Sequence, residues 1–173
     1  MITEAFIKQR YNELLTATLS VIKPEAWAVT PSAEVSLGTR KAAFGLATKE
    51  GKVLLTPAFV GTMAFRKLDQ TILHELAHLI IGLAEHHGRR WKRIADAIGM
   101  TSEHLAEEEQ QVIANVAYKY TVYVHLENGE VRNIGQVHAK TKTYTSYPNG
   151  KIHRTKDGIK VSHYEFVENP KSK

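Results

Sequence analysis

The segment His74-Glu75-Leu76-Ala77-His78 holds the residues of this 173-residue chain best suited to chemistry. In a helix, residues four apart share a face, so the imidazoles of His74 and His78 can be turned on one ion. Glu75 projects about 100° away, beside an open coordination position rather than into the ligand set. Two neutral imidazoles, a third protein ligand and a water make up the coordination of a hydrolytic zinc ion. Zinc acidifies that water and polarises a scissile carbonyl, while a neighbouring carboxylate takes the proton and returns it to the leaving amine. The spacing therefore predicts a one-zinc peptidase site with His74 and His78 as ligands and Glu75 as general base. Manganese, cobalt or iron would fit the same ligands.

The surroundings sharpen that reading. From Phe65 to Leu83 the helical pattern is apolar on nearly all sides, through Leu68, Ile72, Leu73, Leu76, Ala77, Leu79, Ile80 and Ile81. Such a helix is central and buried, and two histidines and a carboxylate inside it are costly without a metal or partners. The third ligand lies elsewhere. The metzincin continuation is excluded, because the positions three and six beyond His78 are Ile81 and Ala84. Glu103, Glu107 and Glu108 on a following helix are candidates, and His86 and His87 are nearer ones.

The elements that must carry these residues are legible from period and punctuation. Phe6, Ile7, Tyr11, Leu14, Leu15 and Leu19 recur at helical spacing, with Thr3 as N-cap and Lys23-Pro24 as the stop. Short runs at Val35-Ser36-Leu37, Lys41 to Thr48 and Val53-Leu54-Leu55, separated by turn residues, predict a small antiparallel β-meander. After the central helix, Trp91, Ile94, Ala95 and Ile98 mark a helix from Arg89 to Ile98 ended by Gly99. Thr101 or Ser102 is expected to cap a further helix running from Glu103–Glu109 to Val116. Beyond Ala117 the period becomes two, with Asn128-Gly129, Asn149-Gly150 and Asp157-Gly158 as hairpin turns. The fold class expected is α+β: an N-terminal helix, the meander and a metal-binding helix in a zincin-like domain over residues 1–117, then a hairpin-rich β-appendage of three to five strands over 118–173.

Composition narrows the function classes. The chain has no cysteine, which excludes disulfide scaffolds, thiolate metal sites and cysteine nucleophiles, and fits a reducing compartment. The start lacks the apolar core of a secretory signal, and the apolar stretch from Leu76 to Ala84 is too short to span a bilayer. A soluble, cytoplasmic protein without a membrane partner is the expectation. The net charge is +5; residues 1–117 hold 13 basic and 13 acidic side chains, and residues 118–173 hold 10 and 5, the whole excess. A basic tail points to an acidic partner, nucleic acid first. Lys140, Lys142, Lys151 and Arg154 are the candidate phosphate contacts. The interleaved Tyr118, Tyr120, Tyr144, Tyr147 and Tyr164 favour single strands if they stack on bases, although strand alternation makes most of them core residues.

Together these residues resemble the SprT-like zinc metallopeptidases, whose best-known eukaryotic member is Spartan. That family carries H-E-x-x-H followed by a third histidine in H-G-x-x-aromatic, matched here by His74-Glu75-Leu76-Ala77-His78 and His87-Gly88-Arg89-Arg90-Trp91. The resemblance covers roughly residues 1–100. It implies His74, His78 and His87 as ligands of one Zn2+ and Glu75 as the base, with His86 the weaker choice. It also implies proteolysis of DNA-bound or DNA-crosslinked proteins, with DNA helping to switch activity on. Family members often add a cysteine-ligated zinc ribbon, and the basic tail sits where that ribbon would be, as a metal-free relic of it. Two other readings share the motif: a peptidase acting on one soluble regulator, of immunity or antirestriction type, and a non-catalytic DNA-binding module with a structural zinc.

Overall fold

The computed structural model describes residues 1–38 and 44–170 of a mixed α and β protein. The chain divides into two compact units, Met1–Val116 and Ala117–Lys173. In the first unit, helix α1 (Glu4–Val21) starts where the Thr3 hydroxyl accepts the Phe6 N–H. It buries Ile7, Tyr11 and Leu15, the apolar stripe read from the sequence. Three strands follow, β1 (Val35–Leu37), β2 (Gly45–Ala47) and β3 (Val53–Leu55), then helices α2 (Phe65–Ile81), α3 (Arg89–Ala97) and α4 (Ala106–Ala114). Helix α2 is the centre of the core, with Leu68, Ile72, Leu76 and Leu79 fully enclosed. Arg10 of α1 grips Asp69 of α2 with two bonds of 2.7 and 2.8 Å, a bidentate clamp that sets how the two helices meet.

The sheet departs from the expected antiparallel meander. Its order is β1-β3-β2, with β1 parallel and β2 antiparallel to β3. Strand β3 carries the most deeply buried side chains, Val53 and Leu55, so it takes the middle and has both edges paired. Strand β2 is left as an edge strand against α2. Of the expected run from Lys41 to Thr48, residues 41–43 lie outside the described residues. The cap expected at Thr101 or Ser102 is also absent: α4 begins at Ala106 without a side-chain cap. The Gln70 amide instead binds the Thr101 and Glu103 carbonyls, and Glu103 reaches Arg66 at 2.7 Å. Those bonds to α2 hold the segment out of helical conformation.

In the second unit, β4 (Tyr120–Leu126), β5 (Val131–Val137) and β6 (Val161–Glu168) form an antiparallel sheet ordered β5-β4-β6. Asn128-Gly129 makes the β4–β5 hairpin, with Gly129 at φ 84°. Asp157-Gly158 makes a tight turn inside the bridge from Arg154 to Lys160. Asn149-Gly150 joins no two strands; a short helix, α5 (Lys142–Thr145), occupies that region instead. The Tyr147 hydroxyl donates to the Val161 carbonyl at 2.8 Å, pinning that connection to β6 and leaving it no strand partner. Val124, Leu126 and Val161 make a small core of their own. No helix among the described residues is long and apolar enough to cross a membrane.

Candidate metal centre

Helix α2 turns the rings of His74 and His78 to one side, as their spacing of four requires. Gly82, at φ 104°, ends the helix and lets the chain double back, so that His87 meets the other two just before α3. The Nε2 atoms stand 3.3 Å (His74 to His78), 3.1 Å (His78 to His87) and 3.1 Å (His74 to His87) apart. This triad is the group of three among the described residues able to hold a metal ion. His86 is exposed and outside it. Glu103 and Glu108 are engaged elsewhere, both with Arg66.

Three neutral imidazoles in mutual contact are not a hydrogen-bonded arrangement. Each Nε2 either donates or accepts, so three atoms all touching cannot be sorted into donor–acceptor pairs. A cation resolves the conflict, because it takes a lone pair from all three. In tetrahedral coordination with Zn–N of about 2.0–2.1 Å, ligand nitrogens stand about 3.3–3.4 Å apart, close to the separations found. The donor set fits zinc. Electrostatics agree: burial, then the neighbouring His78 and His87, push His74 down to about 4. Burial, then His87, also lowers His78. Both rings are therefore kept in the neutral form that binds metal.

Trp91 of α3 backs the triad. Its ring lies 4.9, 5.8 and 4.7 Å from the rings of His74, His78 and His87. It is buried, and its indole N–H has no hydrogen-bond partner. From the first turn of α3 it walls the imidazoles from behind.

Glu75 is only 7% exposed and is held by the edge strand. Phe44 and Thr48 use their backbone bonds on β3, through Thr56 N–H to Phe44 O and Thr48 N–H to Lys52 O, each 2.9 Å. The alternation of a strand turns the Ala47 N–H the other way, and it donates to Glu75 Oε2 at 2.7 Å. Gly45 permits this approach. A Cβ there would stand 2.7 Å from Thr71 Cγ2 and 2.9 Å from Glu75 Cγ. Burial raises the Glu75 carboxyl to about 7, with the Ala47 N–H pulling the other way. A carboxyl poised near neutrality both accepts and returns a proton readily.

The four tail cations have different local settings. Lys140 lies over the rings of Tyr120 and Phe166 at 5.1 and 5.9 Å. Lys142 opens α5, Lys151 is exposed, and Arg154 donates to the carbonyl of Gly158 in its own turn. The tyrosines lie against other aromatic rings: Tyr144 stacks on Tyr164 at 4.2 Å, Tyr147 on His153 at 4.6 Å, and Tyr118 lies 4.7 Å from the His138 ring. Sequence reasoning missed Gly45 and Ala47, since a backbone N–H leaves no mark in residue type. A glycine inside a strand-like run was the one available signal.

The fold and the triad define a mixed α and β domain with a His-Glu-x-x-His helix and a three-histidine pocket able to hold one metal ion. The SprT-like family model matches residues 8–114, more than half of the chain, and the chain belongs to the SprT-like family. No curated protein and no solved structure matches it.

Proposed function

We propose that this protein is a zinc-dependent endopeptidase of zincin-like architecture acting on DNA-associated proteins. The observation that carries the proposal is the convergence of three Nε2 atoms within 3.3 Å beside a buried glutamate. His74, His78 and His87 would hold the ion. When bound, zinc supplies Lewis-acid chemistry, acidifying water and polarising a peptide carbonyl. Glu75, oriented by the Ala47 N–H, accepts the proton of the attacking water and delivers it to the departing amide nitrogen. Trp91 excludes water from the rear of the imidazoles. A structural clamp would have no use for a carboxyl buried against an edge strand, which favours the enzymatic reading over a non-catalytic module.

The substrate class is supported by the family to which the chain belongs and by the basic excess of residues 118–173. Because the tyrosines already lie against other aromatic rings, phosphate contacts rather than base stacking carry the tail's part in DNA binding. The test is metal analysis of the purified protein with cleavage of casein and of a DNA-binding protein, with and without a single-stranded oligonucleotide. Stoichiometric zinc and cleavage that Glu75→Gln abolishes are expected. Zinc without cleavage under any of these conditions would refute the enzymatic reading. Cleavage indifferent to DNA would refute the substrate assignment.

A further inference from the structure

Helix α3 is nine residues long, and four of its first five residues are cationic: Arg89, Arg90, Lys92 and Arg93. All four are exposed, and none forms an ion pair among the described residues. That sets them apart from the structural cations of this fold. Arg10 pairs with Asp69 and Glu13, Arg66 with Glu103 and Glu108, Lys67 with Glu109, and Arg132 with Glu130 and Asp157.

Their position is also the wrong one for helix stability. The N-terminal end of a helix is its positive end and favours acidic side chains. Helix α3 has no acidic residue in its first turn and no side-chain cap at Gly88. Nothing internal to the fold is served by placing four cations there. At about 100° per residue, the four cover an arc of about 160°, opposite the buried Trp91, Ala95 and Ile98. Trp91 faces the three imidazoles, so the cations point away from the metal centre. Asp96 is the acidic residue on that outward side, which leaves three positive charges in excess.

We propose that the outward face of α3, formed by Arg89, Arg90, Lys92 and Arg93, is a nucleic-acid backbone-binding surface of the first unit, separate from the metal centre. Three of the four are arginines, whose planar forks match phosphate oxygens in pairs. The spread of the charges over nearly half the helix circumference suits a polyanion with repeated charges better than a single small anion. An acidic stretch of the peptide being cleaved fits less well, because such a peptide must lie at the triad, on the opposite side of Trp91. The inference rests on the proposed function only in naming DNA as a partner.

The test measures fluorescence anisotropy of a labelled single-stranded oligonucleotide at several salt concentrations on the full chain. Three proteins are compared: wild type, the quadruple Arg89→Gln, Arg90→Gln, Lys92→Gln, Arg93→Gln variant, and a quadruple glutamine variant of Lys140, Lys142, Lys151 and Arg154. Glutamine keeps helix propensity, and zinc content reports that the triad is intact. The α3 variant should bind about tenfold or more weakly at low salt, with the slope of log affinity against log salt reduced by about 3. If the quadruple variant does not fold, the pair Arg89→Gln and Arg93→Gln should lower the slope by about 1.4. An unchanged slope and affinity in the α3 variants, with binding lost in the tail variant, would overturn the inference and leave the proposed function standing. Absence of oligonucleotide binding by wild type at low salt would overturn it as well. Polyglutamate displacing the oligonucleotide at equal charge concentration would reassign the surface to acidic polypeptides. Zinc content and casein cleavage of wild type decide the peptidase reading separately.

Discussion

Gly45→Ala adds one methyl group at the point where β2 meets α2, and the structure says what that methyl would touch. Its Cβ would stand 2.7 Å from Thr71 Cγ2, 2.9 Å from Glu75 Cγ and 3.1 Å from Glu75 Oε1. Carbon–carbon contacts settle near 3.5–4.0 Å, so β2 must retreat by roughly 1 Å or Glu75 must swing aside. Overpacking of this kind costs about 1–3 kcal/mol. The smaller unfolded-state entropy of alanine offsets about 0.4–1 kcal/mol of it, leaving a modest fall in stability. The larger effect falls on the bond from Ala47 N–H to Glu75, now 2.7 Å. A displacement of about 1 Å at a catalytic group lowers turnover by about a hundredfold. The atoms nearest this methyl belong to Thr71 and Glu75 rather than to the imidazoles, so zinc content should remain stoichiometric. Thr71→Ser removes the atom at 2.7 Å and should restore part of the activity to the Gly45→Ala protein, a coupling that thermal melts and peptidase rates both read. A Gly45→Ala protein with wild-type kcat/KM would show that the β2 approach does not position Glu75.

The remaining expectations concern the triad and its supports. His74→Ala, His78→Ala and His87→Ala should each empty the metal site, whereas His86→Ala should leave zinc bound; elemental analysis after dialysis decides it. Glu75→Gln should keep zinc and lose about two to four orders of magnitude in peptide hydrolysis through the missing base. In chelator-treated protein the same substitution should change the pH dependence of urea unfolding. The folded carboxyl, raised to about 7 from 4.5, contributes stability that is full below pH 4.5 and lost as pH rises through 7. His74 and His78 act in the opposite sense, losing stability as pH falls from 6.5, so the difference between wild type and Glu75→Gln isolates the carboxyl. That difference should grow between pH 4.5 and 8 by about 3 kcal/mol at most, and a constant difference would contradict the buried setting of Glu75. Trp91→Ala should cost about 3–5 kcal/mol as a cavity and make zinc easier to strip with a chelator, whereas Trp91→Phe should retain most of both properties.

Several features of the molecule are decided locally and were therefore open to reading from the chain alone. The i and i+4 histidines share a face because helix geometry admits nothing else, and the all-round apolar pattern requires α2 to be central. Thr3 caps α1 because its hydroxyl finds the Phe6 N–H within the same turn. Asn128-Gly129 makes a hairpin because the short loop between Leu126 and Glu130 needs a positive φ at its last position, which Gly129 supplies. The mixed α and β character of the chain followed from these periodicities.

Other features depend on contacts between residues far apart in sequence. The order β1-β3-β2 is set by which strand is most deeply buried and which one can approach α2, and three short runs of similar composition do not reveal that. The caps read at Thr101 and Ser102 lost to bonds from Gln70 and Arg66, about 30 to 40 residues away. His86 and His87 are equivalent in a sequence; the turn at Gly82 and the packing of Trp91 bring the ring of His87 to the other two imidazoles and leave His86 outside the triad. The charge sum over residues 1–117 came to zero, yet four cations without an ion pair among the described residues sit together on α3, because most of the acids that balance them lie on other elements. The hold on Glu75 comes from a backbone N–H of an edge strand 28 residues away. Backbone groups are the same at every position, so only the tertiary structure could say which one the carboxylate would meet.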